Sequence, residues 1–293
     1  MAKEVLLFML KVYFAAVEDI NYAIQAKLGG AKYCLMTAYP FVKKNVSEKS
    51  PVVEYLSTFS KNIILDSGLF TLMFGAEKGV KSKEFIYDWY ERLIRYIRAQ
   101  EGLVIPVEVD CQKILSPEDA WELRIKMKQD LPNQKIINVF HMEDGRTGLD
   151  RLIEFSDYIA ISVPELRANK KIDHKAKTVE LAHYIKNKKP SIDIHLLGCT
   201  ELELLRRCNF CTSCDSTSWK QFARWGEGSF VTPTGHIKGR YRTDVKNTLS
   251  LVDEELRSMN KQTTDNLRNI IANGIIQVQQ HIKIYSLYAG SQD

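Results

Sequence analysis

The sequence predicts an α/β protein, a TIM (β/α)8 barrel with a basic loop after strand eight and a C-terminal helical segment. Three observations predict it. Eight short apolar runs alternate with helical segments between Val12 and Asp215. The runs are continuously apolar rather than alternating, as in parallel strands buried on both faces. Several of them stop at a reactive side chain or a glycine, the place where barrels of this class carry their chemistry. A doubly wound open sheet would call for a Gly-rich phosphate loop after the first strand, and Ala15-Ala16-Val17-Glu18-Asp19 is not one.

The first strand is read at 12–16. A helix over 17–28 follows and stops at Gly29-Gly30, where glycine suits a left-handed cap. Strand two is 32–36, and a Lys-rich loop leads past Pro51 into a short amphipathic helix, 52–59. Strand three, 62–65, runs into Asp66-Ser67-Gly68. A buried strand tolerates no unpaired charge, so Asp66 belongs at its rim. The helix over 83–100 carries Phe85, Ile86, Trp89, Leu93, Ile94 and Ile97 at helical spacing. Strand four, 103–109, leads into Asp110-Cys111, and Ser116-Pro117 opens the next helix as cap and first residue. Strand five, 135–140, ends at His141, and a helix over 148–155 leads to strand six, 158–162. A basic helix, 175–187, precedes strand seven, 192–197, which ends at Gly198. A short helix, 200–207, precedes strand eight, 209–214, which ends at Asp215. From 220 to 246 the chain turns Gly-, Thr- and Arg-rich, which reads as a long loop or a small hairpin. Helices at 249–259 and 265–285 complete the barrel in this reading. The whole chain, 1–293, is then one domain, with 220–246 a basic insertion and 247–293 the C-terminal helices.

Composition bounds the function classes. The 293 residues are 45% hydrophobic and 26% charged, ordinary for a soluble globular chain with an ample core. The net charge of +5 is compatible with a polyanionic partner. The apolar run from Val5 to Leu10 is too short to cross a bilayer, and Lys11 follows without a cleavage site, so a cytoplasmic protein with no membrane association is expected. Six cysteines in a chain of this length point to reduced thiols rather than a disulfide scaffold. Cys208, Cys211 and Cys214 have a spacing that admits a metal. On a strand, however, residues three apart face opposite sides, so buried thiols and no metal or other cofactor are expected. His183 and His195 read as structural.

The strand ends bring Asp66, Asp110, His141, Ser162, Gly198 and Asp215 to one rim. Carboxylates crowded there raise one another's pKa values, which suits acid/base and nucleophilic work. The plainer alternative is that one or two of these acids only cap the helices that follow.

Asp66-Ser67-Gly68-Leu69-Phe70 resembles the Asp-Ser-Gly-Gly-Tyr/Phe motif of the tRNA-guanine transglycosylases, which are TIM barrels. Val109-Asp110-Cys111 resembles that family's base-recognising Asp-Glu-Cys, and His141 falls where the family has a base-binding glutamine. The run Ile159 to Val163, which contains Ser162, is similar to its strand-six segment without the paired glycines. Leu196-Leu197-Gly198 resembles its Leu-Met-Gly, and Cys214-Asp215-Ser216 its Phe-Asp-Cys, whose aspartate is the nucleophile. The likeness covers roughly residues 10–225 in order. It departs in one module: the tRNA enzymes carry Cys-x-Cys-x-x-Cys and a later His for zinc after the nucleophile, and here no cysteine follows Cys214. That loss, together with the run Asp215 to Trp219, is more similar to the DpdA group, the 7-deazaguanine DNA transglycosylases of phages and bacteria.

The resemblance implies an exchange of guanine in DNA for a 7-deazaguanine base of the preQ0 type through a covalent glycosyl-aspartate, in the host cytoplasm if the protein is phage-encoded. It implies Asp215 as nucleophile and Asp66 as general acid/base. Phe70, Asp110, His141, Ser162, Leu197 and Gly198 would then surround the base. The target nucleotide must be flipped out of a duplex or bound single-stranded. Lys220, Arg224, Lys238, Arg240 and Arg242 with the interleaved Tyr241 would bind the nucleic acid, the alternative being a solvated loop. Three other functions stay open: the same chemistry on tRNA, a non-catalytic nucleic-acid-binding barrel, and a metal-dependent hydrolase using Asp66, Asp110 and His141.

Overall fold

The computed structural model describes residues 10–74, 81–220, 227–232, 235–240 and 245–289. Eight parallel strands alternate with helices: β1 (Lys11–Ala15), α1 (Ile20–Gly29), β2 (Tyr33–Thr37), α2 (Tyr39–Lys43), α3 (Pro51–Ser57), β3 (Asn62–Asp66), α4 (Leu69–Phe74), α5 (Lys83–Ala99), β4 (Ile105–Pro106), α6 (Pro117–Asp130), β5 (Asn138–Phe140), a 3-10 turn (Met142–Asp144), α7 (Gly145–Phe155), β6 (Tyr158–Ser162), α8 (Val163–Ala168), α9 (His174–Lys188), β7 (Asp193–Leu197), α10 (Leu202–Arg207) and β8 (Ser213–Ser216). An antiparallel pair follows, β9 (Glu227–Thr232) and β10 (Gly235–Arg240), then α11 (Lys246–Ser258) and α12 (Asp265–Ala289). Among the described residues no helix is long and apolar enough to cross a membrane.

The sheet order is β4-β3-β2-β1-β8-β7-β6-β5, with every pairing parallel. Each strand therefore returns through a helix on the outer face, as parallel strands require. The sheet is curled. One apolar cluster joins Tyr13, Tyr33, Ile64 and Val107 from one end of the order to Ile137, Val139, Tyr158 and Ala160 from the other, so the two ends share an interior. The end strands also approach each other. Val107 and Ile137 form a parallel bridge, with Glu108 N–H donating to the Ile137 carbonyl and Ile137 N–H to the Pro106 carbonyl, both at 2.9 Å.

Most expected elements form, with shifted ends. The first strand stops at Ala15 because Ala16 turns into the left-handed region (φ 66°), and Asp19 caps α1 through the Asn21 N–H. Gly30, not Gly29, takes the left-handed cap (φ 87°). The eighth strand is later than expected. Cys208 to Thr212 is spent on a turn closed by the Cys211 N–H on the Cys208 carbonyl, so Asp215 lies inside β8 rather than after it. Helices α2, α4 and α8 are short segments without a sequence expectation. Between 220 and 246 the hairpin alternative forms, as β9 and β10. The C-terminal helix α12 lies along α1 at close range: a Cβ on Gly29 would stand 2.5 Å from the Val278 side chain.

Candidate active site

The interior parity of the strands decides what meets at their carboxyl ends. Side chains alternate between faces, so residues two beyond an interior residue also point inward. Ile64, Val139 and Ala160 are interior. Two residues on stand Asp66, His141 and Ser162. Leu197 packs against the same interior cluster, at the end of β7. Asp215, paired with Tyr13 across β1 and β8, faces the same side. Asp110 and Asp215 both stand close enough to Asp66 to push its carboxyl up by repulsion.

Asp66 is partly buried and its carboxyl is pushed up to about 7. Burial is the largest cause, Asp110 adds to it by repulsion, and Asp215 and Glu18 add less. One donor opposes them: the Gly68 N–H reaches Asp66 Oδ2 at 3.0 Å. That donor is available because Gly68 takes a left-handed φ of 81°, and a Cβ there would lie 2.8 Å from the Tyr39 backbone. A carboxyl poised near neutrality can both give and accept a proton.

Asp110, His141 and Glu165 form a line. His141 is buried; its Nε2 lies 3.0 Å from Asp110 Oδ2 and its Nδ1 2.6 Å from Glu165 Oε2. Burial alone would lower the imidazole pKa, but the hydrogen bonds and charges of the two carboxylates outweigh it and hold it up at about 10. Both ring nitrogens are therefore N–H donors, and both are used. Glu165 is the mirror case: burial pushes it up, while His141, Lys113 and the Met142 N–H pull it down to about 2. Lys113 Nζ stands 3.2 Å from Glu165 and 3.8 Å from Glu143. His141, Glu143 and Glu165 are the group of three potential metal ligands within reach of one another among the described residues. Its two carboxylates are paired with the His141 ring and the Lys113 ammonium.

Asp215 is buried, and two donors converge on one of its oxygens. The Gly198 N–H reaches Oδ1 at 2.7 Å and His195 Nε2 stands 3.1 Å from it. Gly198 holds a φ of 64°, and a Cβ there would meet Pro164 Cγ at 2.6 Å. The backbone thus approaches α8 in a conformation that other residues resist.

The remaining expected residues are placed as follows. Ser162 precedes α8 at the end of β6 without capping it through its side chain. Phe70, in the first turn of α4, is 55% exposed beside the rim. Lys220 Nζ bonds the Ala16 carbonyl at 3.2 Å and lies over the Tyr22 ring. Lys238 and Arg240 lie on β10, while Arg224, Tyr241 and Arg242 fall outside the described residues. Cys208, Cys211 and Cys214 are free and buried. Cys214 alone is on a strand, so the opposite-faces argument does not apply to the other two, which sit in the turn before β8.

Three residues at the site were not legible as functional in the sequence. His195, read as structural, touches Asp215. Its signal was parity: His195 and Leu197 share the inward face of β7. Glu165 and Lys113 carried no signal, because their roles depend on loops from different strands meeting above His141. His141, expected to bind a base, has its two ring nitrogens facing the Glu165 and Asp110 carboxylates.

No protein-family model and no curated protein matches this chain.

Proposed function

We propose that the protein is a transglycosylase of the tRNA-guanine transglycosylase-like superfamily, DpdA branch, which exchanges guanine in DNA for a 7-deazaguanine base on a closed (β/α)8 barrel completed by its C-terminal helices. The observation that carries this reading is the division of labour among three clustered carboxyl groups. Asp215 is held by two donors on one oxygen, Asp66 is poised near pH 7, and Asp110 is paired to a buried imidazolium. A metal-dependent hydrolase would want the acids free to ligate, whereas Asp110 is already engaged by His141.

In this reading an Asp215 oxygen attacks C1′ of the target nucleotide and the bond from C1′ to guanine N9 breaks. Protonated Asp66 gives its proton to the departing base and becomes the carboxylate. That carboxylate then removes the N9 proton of the incoming 7-deazaguanine, which displaces Asp215 from C1′ and regenerates both groups. Asp110 accepts from the N1–H and exocyclic amine of the base. His141 orients Asp110 rather than touching the base. Phe70 stacks on the base with Leu197 opposite, and the backbone at Ser162 and Gly198 borders its edge. Lys220, Lys238 and Arg240, with Arg224, Tyr241 and Arg242, contact the nucleic acid, and the reaction is cytoplasmic. No metal or other cofactor enters these steps.

The test is intact-protein mass spectrometry after mixing with guanine-containing DNA or tRNA, alongside release of labelled guanine. Wild type should gain a nucleic-acid adduct with DNA, and Asp215→Ala should gain none. Exchange on tRNA alone would move the substrate assignment. Exchange on neither would leave a binding barrel and sink the proposal.

A further inference from the structure

A buried histidine beneath the nucleophile connects the rim to the barrel interior. His195 is fully buried, with Nε2 3.1 Å from Asp215 Oδ1 and Nδ1 2.6 Å from Ser213 Oγ. Ser213 Oγ also hydrogen-bonds the Tyr158 hydroxyl, and Ser213 and Tyr158 are themselves buried. The Tyr13 and Tyr158 rings stand edge-on to the imidazole at 6.1 and 6.4 Å and fix its plane.

The protons on this chain can be assigned by counting. A carboxylate only accepts, so Nε2 carries the proton that faces Asp215. With a single ring proton, Nδ1 is an acceptor and takes the Ser213 hydroxyl proton, which leaves Ser213 Oγ to accept from Tyr158. Each group donates once, in one direction, toward Asp215. Burial pushes the Tyr158 hydroxyl well above its ordinary pKa and keeps it a donor. A histidine used only to fill the interior would need no partner at the rim, and this one has its donor aimed at the carboxylate.

We infer that His195 is a positioning residue for Asp215, held in its Nε2–H tautomer by Ser213 and Tyr158, and that it selects Oδ2 as the attacking oxygen. This rests on reading Asp215 as the nucleophile. Oδ1 is occupied by His195 and by the Gly198 N–H, which leaves Oδ2 to form the bond to C1′ as the bond to the departing base breaks. In the glycosyl-aspartate, Oδ1 becomes the ester carbonyl oxygen and keeps both donors. They draw electron density from the ester, so the aspartate leaves more readily when the incoming base attacks C1′.

Two measurements test this. In the first, adduct formation and its breakdown by a 7-deazaguanine are timed for wild type, His195→Leu, His195→Gln and Tyr158→Phe. Loss of a donor to a charged group should slow both steps roughly tenfold to a hundredfold in His195→Leu. His195→Gln, which keeps an N–H donor, should recover most of the rate, and Tyr158→Phe should fall between. Equal rates in wild type and His195→Leu overturn the inference and leave the proposed function standing; so does a His195→Gln protein as slow as His195→Leu. A wild type that forms no adduct overturns both. The second measurement needs no substrate and covers a variant that fails to fold: nitrogen NMR of histidine-labelled wild type and Ser213→Ala. The His195 signals should be those of the Nε2–H tautomer, with that preference weakened in Ser213→Ala. A Nδ1–H ring or an imidazolium overturns the chain whatever the catalytic result.

Discussion

Replacing Asp66 by asparagine should make the protein more stable above neutral pH while abolishing exchange. Folding lifts the Asp66 carboxyl from 3.8 to about 7, with burial as the main cause. Between those values the folded state binds a proton that the unfolded state has released. Stability therefore falls as pH rises through this window, the reverse of the usual salt-bridged aspartate. Roughly three pKa units at about 1.36 kcal/mol each give about 4 kcal/mol as the upper bound. The group is only partly buried, and solvent screening reduces the expected cost to about 2–4 kcal/mol. The asparagine side-chain carbonyl would still accept the Gly68 N–H that now reaches Asp66 Oδ2, so the substitution removes charge without orphaning a donor. Urea unfolding at pH 4, 6 and 8 measures it. The two proteins should be nearly equal at pH 4, with Asp66→Asn the more stable by about 2–4 kcal/mol at pH 8. Parallel pH profiles, or a less stable Asp66→Asn at pH 8, would refute the placement of this acid in a desolvated, like-charged site.

Glu165→Gln removes one of the two carboxylates that clamp His141 and should cost about 3 kcal/mol, as expected for breaking a buried pair. Glu165 is depressed from 4.5 to about 2 and His141 raised from 6.5 to about 10, so that loss should be full between pH 4.5 and 6.5 and fade as pH rises through 10. Denaturation across pH checks it, and a pH-independent difference counts against the pair. Gly198→Ala places a Cβ against Pro164 in a left-handed backbone; it should lower stability by roughly 1–3 kcal/mol and slow adduct formation by displacing the N–H from Asp215. Normal adduct kinetics in the Gly198→Ala protein would show that this N–H is dispensable. Glu108→Gln leaves the buried Arg124 guanidinium, bonded to Glu108 at 2.6 and 2.7 Å, without its counter-charge, and should cost about 3–5 kcal/mol in a denaturant titration. A cost under about 1 kcal/mol would mean that water reaches that pair.

By itself the sequence determined the alternation of strand and helix, the parallel character of the strands and the identity of the rim acids Asp66, Asp110 and Asp215. These are local properties: a continuous apolar run, a glycine stop and a charge at a strand end are each legible within a few residues. It also placed the hairpin among two options for 220–246, without choosing. Only the tertiary structure decided how the strand ends are used. It moved the start of β8 past the Cys208–Thr212 turn, because a turn and a strand compete for the same apolar residues until a neighbouring strand supplies hydrogen bonds. It joined Asp110 to Glu165 through His141 and brought Lys113 to them, from segments that follow different strands. It turned His195 from interior filler into the partner of Asp215, because a side chain's face is known only when the register of its strand is known. Charge and hydrogen-bond partners arise between elements distant in sequence, so the residue types at the rim could be read from the chain, while the pKa of about 7 at Asp66 and the convergence of His195 and Gly198 on one oxygen of Asp215 could not.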